Sequence, residues 1–80
     1  MAVKDAVVER FSAICRERNI KLNELANLSG VTPSTVYSMV DPTRREISIT
    51  TIKKLCDGLG ISLGEFFSSS AFDELEQEIK

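Results

Sequence analysis

The chain of 80 residues contains no His and no Trp, only two Cys, and no long apolar run. Cys15 and Cys56 form no CxxC pair, and without His a conventional zinc site has no ligand set. We therefore expect two reduced core cysteines, no metal and no cofactor. A Cys or Ser nucleophile would also need a base beside it, and no such pairing is visible, so we do not expect an enzyme.

The apolar runs, such as Val7-Val8 and Phe66-Phe67, are far shorter than the roughly 20 residues that cross a membrane. The N-terminus has neither the apolar core nor the cleavage site of a signal peptide. A chain of this length and composition (42% hydrophobic, 28% charged) is typical of one small globular domain. We therefore expect a cytoplasmic protein with no membrane partner.

The charge is unevenly distributed along the chain. Residues 1–56 hold nine Lys and Arg against six Asp and Glu, whereas residues 57–80 hold one against six. The net charge of −2 would argue against nucleic acid if it were uniform. The positions of the basic residues must therefore decide whether the first part of the chain can bind DNA.

An amphipathic helix is predicted over residues 3–18, because apolar residues recur there at three- and four-residue spacing. Lys4 falls on its polar face, and Asn19 can end it. The apolar stripe that would face the core consists of Val3, Val7, Phe11 and Ile14.

Start and stop signals predict two further helices, over residues 22–29 and 33–40. Thr32 can cap the helix over residues 33–40, because its side chain can accept a hydrogen bond from a free amide of the first turn. Pro33 suits the first position of that helix. Asp41-Pro42 should end it, since the residue before a proline disfavours helical geometry. Residues 41–47 then form a polar loop.

The remaining helices are indicated by similar signals. Ser48 can cap a helix over residues 49–59, whose apolar face begins at Ile49 and which Gly60 would end. Ser62 with Glu65 forms a capping box for a short helix over residues 63–68. Ser70 with Asp73 repeats this signal more weakly. No segment alternates like a strand, so the fold class is all-α: a compact five-helix bundle with a short sixth helix near the C-terminus.

Residues 22–39 have the features of two helices that cross steeply around a tight turn. Ala26 is small enough for the helices to approach, and Gly30 can supply a left-handed turn. Val31 and Val36 would hold the crossing angle from inside. A second helix locked at such an angle protrudes, and a protruding helix fits the major groove of DNA.

On these residues the chain resembles the phage repressor/Cro-like (XRE) family of helix-turn-helix regulators. Residues 22–39 (LNELANLSGVTPSTVYSM) are similar to the family motif, and residues 49–63 (ITTIKKLCDGLGISL) to its fourth helix and the entry to the fifth. The resemblance spans about residues 3–68. It implies a lambda-repressor-like fold and a transcription regulator, most simply a repressor, that binds double-stranded DNA sequence-specifically as a homodimer.

The resemblance also implies site residues, with residues 33–40 as the recognition helix in the major groove. The residues that would contact base edges are Pro33, Ser34, Tyr37 and Ser38. Those that would contact phosphates are Lys21, Leu22, Asn23, Thr32, Arg44, Arg45, Thr50, Thr51 and Lys53.

Three positions depart from the family pattern. Many members have Gln at the position of Leu22, where the side chain binds a phosphate, and Leu cannot do this. Members often have an ion pair at the positions of Cys15 and Val40, where two apolar residues should pack instead without harm to the fold. Two serines offer few and promiscuous hydrogen bonds, so DNA shape should contribute to specificity.

The sequence divides into a helix-turn-helix domain, residues 1–69, and an acidic amphipathic tail, residues 70–80. Phe72, Leu75 and Ile79 share one helical stripe of the tail. The tail can fold back on its own domain, serve as a dimer arm, or dock a partner protein. The last reading defines the alternative function, a protein-interaction module such as an antitoxin. A chain of this length has no room for a ligand-sensing domain, so we expect control through expression, dimerisation or a partner.

Overall fold

The computed structural model describes residues 2–75 and consists of helices and loops in that range. The helices run in the order α1 (Val3–Arg18), α2 (Leu22–Ser29), α3 (Pro33–Val40), α4 (Ile49–Leu59), α5 (Leu63–Phe66) and α6 (Ser70–Asp73). No strand occurs between residues 2 and 75. The predicted all-α fold with five helices and a short sixth is therefore confirmed.

The predicted stop signals end the helices as expected. Asn19 (φ 55°), Gly30 (φ 69°) and Gly60 (φ 71°) all adopt the left-handed conformation at helix C-termini. Glycine suits this region because it has no Cβ, and Asn tolerates it better than most other residues. The turn between α2 and α3 thus has the backbone geometry that the position of Gly30 predicts.

The N-terminal caps agree with the sequence in two cases and differ in two others. Ser48 accepts from the Thr51 amide (N···O 3.0 Å), and Ser62 forms the predicted capping box with Glu65. The expectation for Thr32 is wrong, because its Oγ1 bonds neighbouring hydroxyls and caps no amide. α6 is capped by Ser69, one residue before the predicted Ser70.

A single core lies between the helices and contains the apolar stripe of α1. Val7, Phe11, Leu25, Leu55 and Phe66 are fully buried. Both cysteines are free and buried, as predicted, and burial raises the pKa of each thiol above its usual value. The thiols therefore behave as small apolar core groups at neutral pH.

Two positions of α1 differ from the amphipathic prediction. Val3, expected on the inner face, is 41% exposed, whereas Lys4, expected on the polar face, is only 6% exposed. Ile49 differs in the same way at the start of α4, where it is 60% exposed. Val3 and Ile49 are the first residues of their helices, so the apolar stripe begins one turn before the core does.

α2 packs most extensively on α4, and Gly58 of α4 lies tightly against Ser29 of α2. A Cβ added at Gly58 would lie 2.8 Å from both the Cα and the N of Ser29. Ser29 Oγ is buried there without a hydrogen-bond partner. Glycine at position 58 therefore sets the distance between the two helices.

An aromatic cluster closes the core beside α1, α5 and α6. The ring centroid of Phe66 lies 4.3 Å from that of Phe11, 4.9 Å from that of Phe67 and 5.8 Å from that of Phe72. Phe72, the first residue of the apolar stripe of the tail, thus packs inside its own chain. α5 ends at Phe66, two residues before its predicted end, and Ile79 lies outside the described residues.

Among residues 2–75, none of the helices combines the length and apolarity needed to cross a bilayer.

Candidate nucleic-acid interface

α3 presents an uncharged, hydroxyl-rich surface. Pro33 and Ser34 are exposed and Ser38 is half-buried, while Val36 and Met39 face the core. Residues 33–40 contain no Asp, Glu, Lys or Arg. This helix can therefore approach a polyanion without repulsion, although it supplies no cationic side chain of its own.

The hydroxyl groups at the start of α3 form a local cluster. Thr32 Oγ1 lies 2.9 Å from Ser34 Oγ and 3.1 Å from Thr35 Oγ1. Each hydroxyl can donate once and accept twice, so these contacts leave capacity for an outside partner. Ser34 is thereby held at the exposed tip of α3 with its hydroxyl oriented by Thr32.

The exposed tyrosine of α3 is bonded to α2. Tyr37 is 51% exposed, and its hydroxyl donates to Asn23 Oδ1 at 2.9 Å. This contact uses the amide oxygen of Asn23 and leaves its NH₂ group to donate elsewhere. Two residues that the sequence assigned to different contacts, Tyr37 to bases and Asn23 to phosphates, are thus coupled.

A groove beside α3, which we call the α3–α4 groove, brings three predicted site residues together. Its walls are formed by residues of α3, the 41–48 loop and the start of α4. They are Thr35, Ser38, Met39, Arg44, Glu46, Ile47, Ser48 and Thr51. Ser38, Arg44 and Thr51 therefore border the same depression, with Arg44 as its one basic residue.

The structure separates the two arginines of the loop. Arg44 lines the α3–α4 groove, whereas Arg45 lines a different depression beside Val3 and Lys4 at the start of α1. Both arginines are exposed. The pair Arg44-Arg45, adjacent in sequence, therefore lines two neighbouring depressions that share Glu46 and Ile47 as walls.

The other predicted phosphate contacts lie at helix starts. Lys21 is the exposed N-cap residue of α2, and the side chain of Leu22 is half-buried against the core. Thr50 is exposed in the first turn of α4. Lys53 is exposed but forms an ion pair with Asp57 one turn later, so part of its charge is used within the chain.

Two residues near this surface escaped the sequence analysis. Glu46 lines the α3–α4 groove as its one acidic group, and a polar loop gives no signal for which residue faces a groove. Lys4 is buried, and its Nζ donates to the backbone oxygens of Asp41 and Arg44 at 2.5 and 2.7 Å. Its position in the helical pattern predicted exposure, so no signal pointed to this contact.

The loop that carries Arg44 begins with a structured turn. Asp41 Oδ1 accepts from the backbone amide of Thr43 at 2.9 Å and from its hydroxyl at 2.7 Å. These bonds, followed by the nearby charges of Arg44 and Lys4, lower the pKa of the Asp41 carboxyl below its usual value. The carboxylate is therefore ionised at neutral pH, and the turn weakens only as the pH falls through this lowered pKa.

These features define a helix-turn-helix protein whose second motif helix is exposed on an uncharged face. Residues 10–71 match the family model described as the Cro/C1-type HTH DNA-binding domain, and the chain belongs to this family. The partner of the chain is therefore double-stranded DNA, and its class is that of a DNA-binding transcription regulator. The family resemblance seen in the sequence is confirmed.

A solved structure supports the same assignment. The chain is similar to the one in "Crystal structure of the prophage Lp1 protein 11", with a TM-score of 0.82 and 33% sequence identity. The alignment covers 94% of this chain and all of that one. No curated protein sequence matches the chain.

In residues 2–75, no cluster of His, Cys, Asp or Glu side chains could hold a metal ion.

Proposed function

We propose that this protein is a non-catalytic transcriptional repressor that places α3 in the major groove of its operator. The observation that carries the proposal is the combination of an uncharged, exposed α3 with the α3–α4 groove, where Arg44 and Thr51 flank Ser38. Phosphate contacts fix the register of a protein on DNA, and contacts to base edges select the sequence. Both kinds of group are present on one surface.

In this proposal the tip and outer face of α3 read the bases. Ser34 and Ser38 would hydrogen-bond base edges, while Pro33 and the ring of Tyr37 would make apolar contacts in the groove. The Tyr37 hydroxyl is already bonded to Asn23, so its ring is the more available part. Direct readout by two serines is modest, and sequence-dependent DNA shape would supply further specificity.

The phosphate contacts would surround α3 on both sides. From α2, the backbone amide of Leu22 and the side chains of Lys21 and Asn23 would meet one strand, aided by the positive end of the helix dipole. The half-buried side chain of Leu22 would take no part. Further contacts would come from Thr32, Arg44, Thr50, Thr51 and Lys53, and Arg45 would add one from the depression beside α1.

The functional unit would be a twofold homodimer on a palindromic operator. A dimer of this kind reads two half-sites about 34–36 Å apart, one turn of B-DNA, on one side of the duplex. Binding there would block transcription by occupying the DNA. The similarity to a prophage protein supports a regulator of the phage type.

A salt titration tests this proposal. A site is first selected from a pool of random duplexes, and the Kd for that site and for an unrelated duplex is then measured between about 50 and 200 mM salt. About four phosphate contacts per subunit predict a fall of log K with log salt of slope about −3 to −4 per subunit bound. Ser34→Ala should change the selected sequence and leave this slope intact. A flat salt response, or equal affinity for both duplexes, would remove the proposal.

The alternative, an antitoxin-like module that docks a partner through residues 70–80, has no comparable support. Phe72 is half-buried and packs against Phe66 and Phe67 of its own chain. The docking role of the tail, its separation from residues 1–69 and the identity of any protein partner stay predictions.

A further inference from the structure

Lys4 is the one charged side chain that is buried within residues 2–75, with 6% of its surface exposed. It lies in the first turn of α1, far from the helix-turn-helix motif in sequence. A buried ammonium group is costly unless its donors are satisfied. Lys4 must therefore have a structural partner that compensates for the loss of water.

The partners of Lys4 are two backbone oxygens of the loop that follows α3. Its Nζ donates to the carbonyl oxygens of Asp41 (2.5 Å) and Arg44 (2.7 Å). Two of its three donors are thus used on one short stretch of backbone. The Asp41 carboxylate, kept ionised by its bonds to Thr43, interacts favourably with the charge of this ammonium group.

These contacts fix both ends of the turn at residues 41–44. The Arg44 amide donates to the Asp41 carbonyl at 3.1 Å, and the Arg44 carbonyl accepts from Lys4. Both backbone hydrogen-bonding groups of Arg44 are therefore engaged. Thr43 closes the turn from the other side through the Asp41 carboxylate. The direction in which the Arg44 side chain leaves the backbone is thereby determined.

We propose that Lys4 is a positioning residue for DNA binding: it holds the backbone of residues 41–44 so that Arg44 faces the α3–α4 groove. The inference rests on the proposed function, since Arg44 acts there on a phosphate. Lys4 itself does not contact DNA, because its ammonium group is buried and bonded within the chain. A long arginine on an unconstrained loop would lose conformational entropy on binding, and a fixed loop reduces that loss.

A double-mutant cycle between Lys4 and Arg44 tests this inference. Lys4→Met keeps an unbranched stem of similar length and removes the charge. Lys4→Met and Arg44→Ala should each weaken binding to any duplex about tenfold and reduce the salt slope by about 1. The double variant should bind no worse than either single one, because Arg44 depends on Lys4. Additive losses would overturn the inference.

The matched control is a cycle between Lys4 and Lys21, a proposed phosphate contact outside the loop. Lys4→Met and Lys21→Ala should be additive, since sites without shared partners are independent. Coupling of the same size in both cycles would show a general structural effect and overturn the inference. Lys4→Arg, which keeps a charged donor, should restore the salt slope, and its failure to do so would count against the inference.

Amide hydrogen exchange gives a readout that is independent of DNA. In Lys4→Met the Arg44 amide should exchange faster, while the Thr51 amide, bonded to Ser48, should be unchanged.

If Lys4→Met does not fold, Lys4→Gln enters the same cycles with the same expected coupling. If the wild-type chain shows no salt-dependent DNA binding, the proposed function fails and this inference fails with it. If the wild type binds and the Lys4–Arg44 cycle is additive, only the role of Lys4 is rejected.

Discussion

Two regions of the molecule are held together by different interactions. One is the contact between α2 and α4, and the other is the surface that α3 forms with the 41–48 loop. Between α2 and α4 the chain depends on close approach, with glycine at position 58 against the backbone of Ser29. Around α3, hydroxyl, amide and ammonium groups join the parts, as in the bond from Tyr37 to Asn23. The first region allows no added atom, whereas the second has polar groups with unused hydrogen-bonding capacity. Changes in the first should therefore affect stability, and changes in the second should affect DNA affinity.

The largest effect is expected from Gly58→Ala. The new Cβ would lie 2.8 Å from the backbone of Ser29, which cannot move without separating α2 from α4. Overpacking of this kind costs about 1–3 kcal/mol in the free energy of unfolding. Thermal and urea unfolding monitored by circular dichroism would measure the loss.

Two further variants separate the close approach from a general effect of glycine. Gly64→Ala places its Cβ no nearer than 3.8 Å to Ser62 Oγ, so it should be neutral or stabilising by up to about 1 kcal/mol. Ser29→Ala removes a buried hydroxyl without a partner but not the backbone, so it should not rescue Gly58→Ala. Full rescue, or an equal loss from Gly64→Ala, would contradict the proposed role of Gly58.

The next effect concerns the two loop arginines. Arg44→Ala should weaken binding to all duplexes about tenfold, because a hydrogen bond to a charged phosphate is lost. Arg45→Ala should weaken it less, because Arg45 lines the depression beside α1. Fluorescence anisotropy at several salt concentrations would compare them. Unfolding free energies should stay within about 0.5 kcal/mol of the wild type, as for other surface changes. Equal losses of affinity would show that the separation of the arginines has no functional effect.

A smaller effect is expected from Tyr37→Phe, which keeps the ring and removes the bond to Asn23. If this bond orients the Asn23 amide toward a phosphate, affinity should fall about two- to fivefold for every sequence alike. Asn23→Ala should cause a similar loss, and the two changes should not add. A changed base preference in the selected sites would instead assign the Tyr37 hydroxyl to base readout.

The smallest effect, and an opposite one, is expected from Glu46→Gln. Removing the one carboxylate of the α3–α4 groove should raise DNA affinity about two- to threefold at low salt, an increase that screening reduces at higher salt. Glu17→Gln makes the same change of charge on an exposed part of α1 outside the groove. If the two variants behave alike, Glu46 acts only through the net charge of the protein.

The sequence predicted the helices of the fold more completely than their contacts. Helix starts and ends depend on local signals, such as Ser48 before α4 and Gly60 after it. These signals can be recognised in the sequence, and the structure places both caps where the sequence predicts them. The cap predicted at Thr32 failed, because its hydroxyl bonds two other hydroxyls within one turn, those of Ser34 and Thr35. The candidate base contacts could be placed on α3, but their hydrogen-bond partners could not.

What the amino-acid sequence determined by itself is the number, order and type of the helices and the family to which they belong. Periodicity, caps and left-handed turn residues act over a few positions and are therefore visible in the chain. The tertiary structure alone decided that Lys4 is buried against the 41–44 turn, that Gly58 meets Ser29, and that Arg44 and Arg45 line different depressions. Each of these depends on residues far apart in sequence that only the packing of the helices brings into contact.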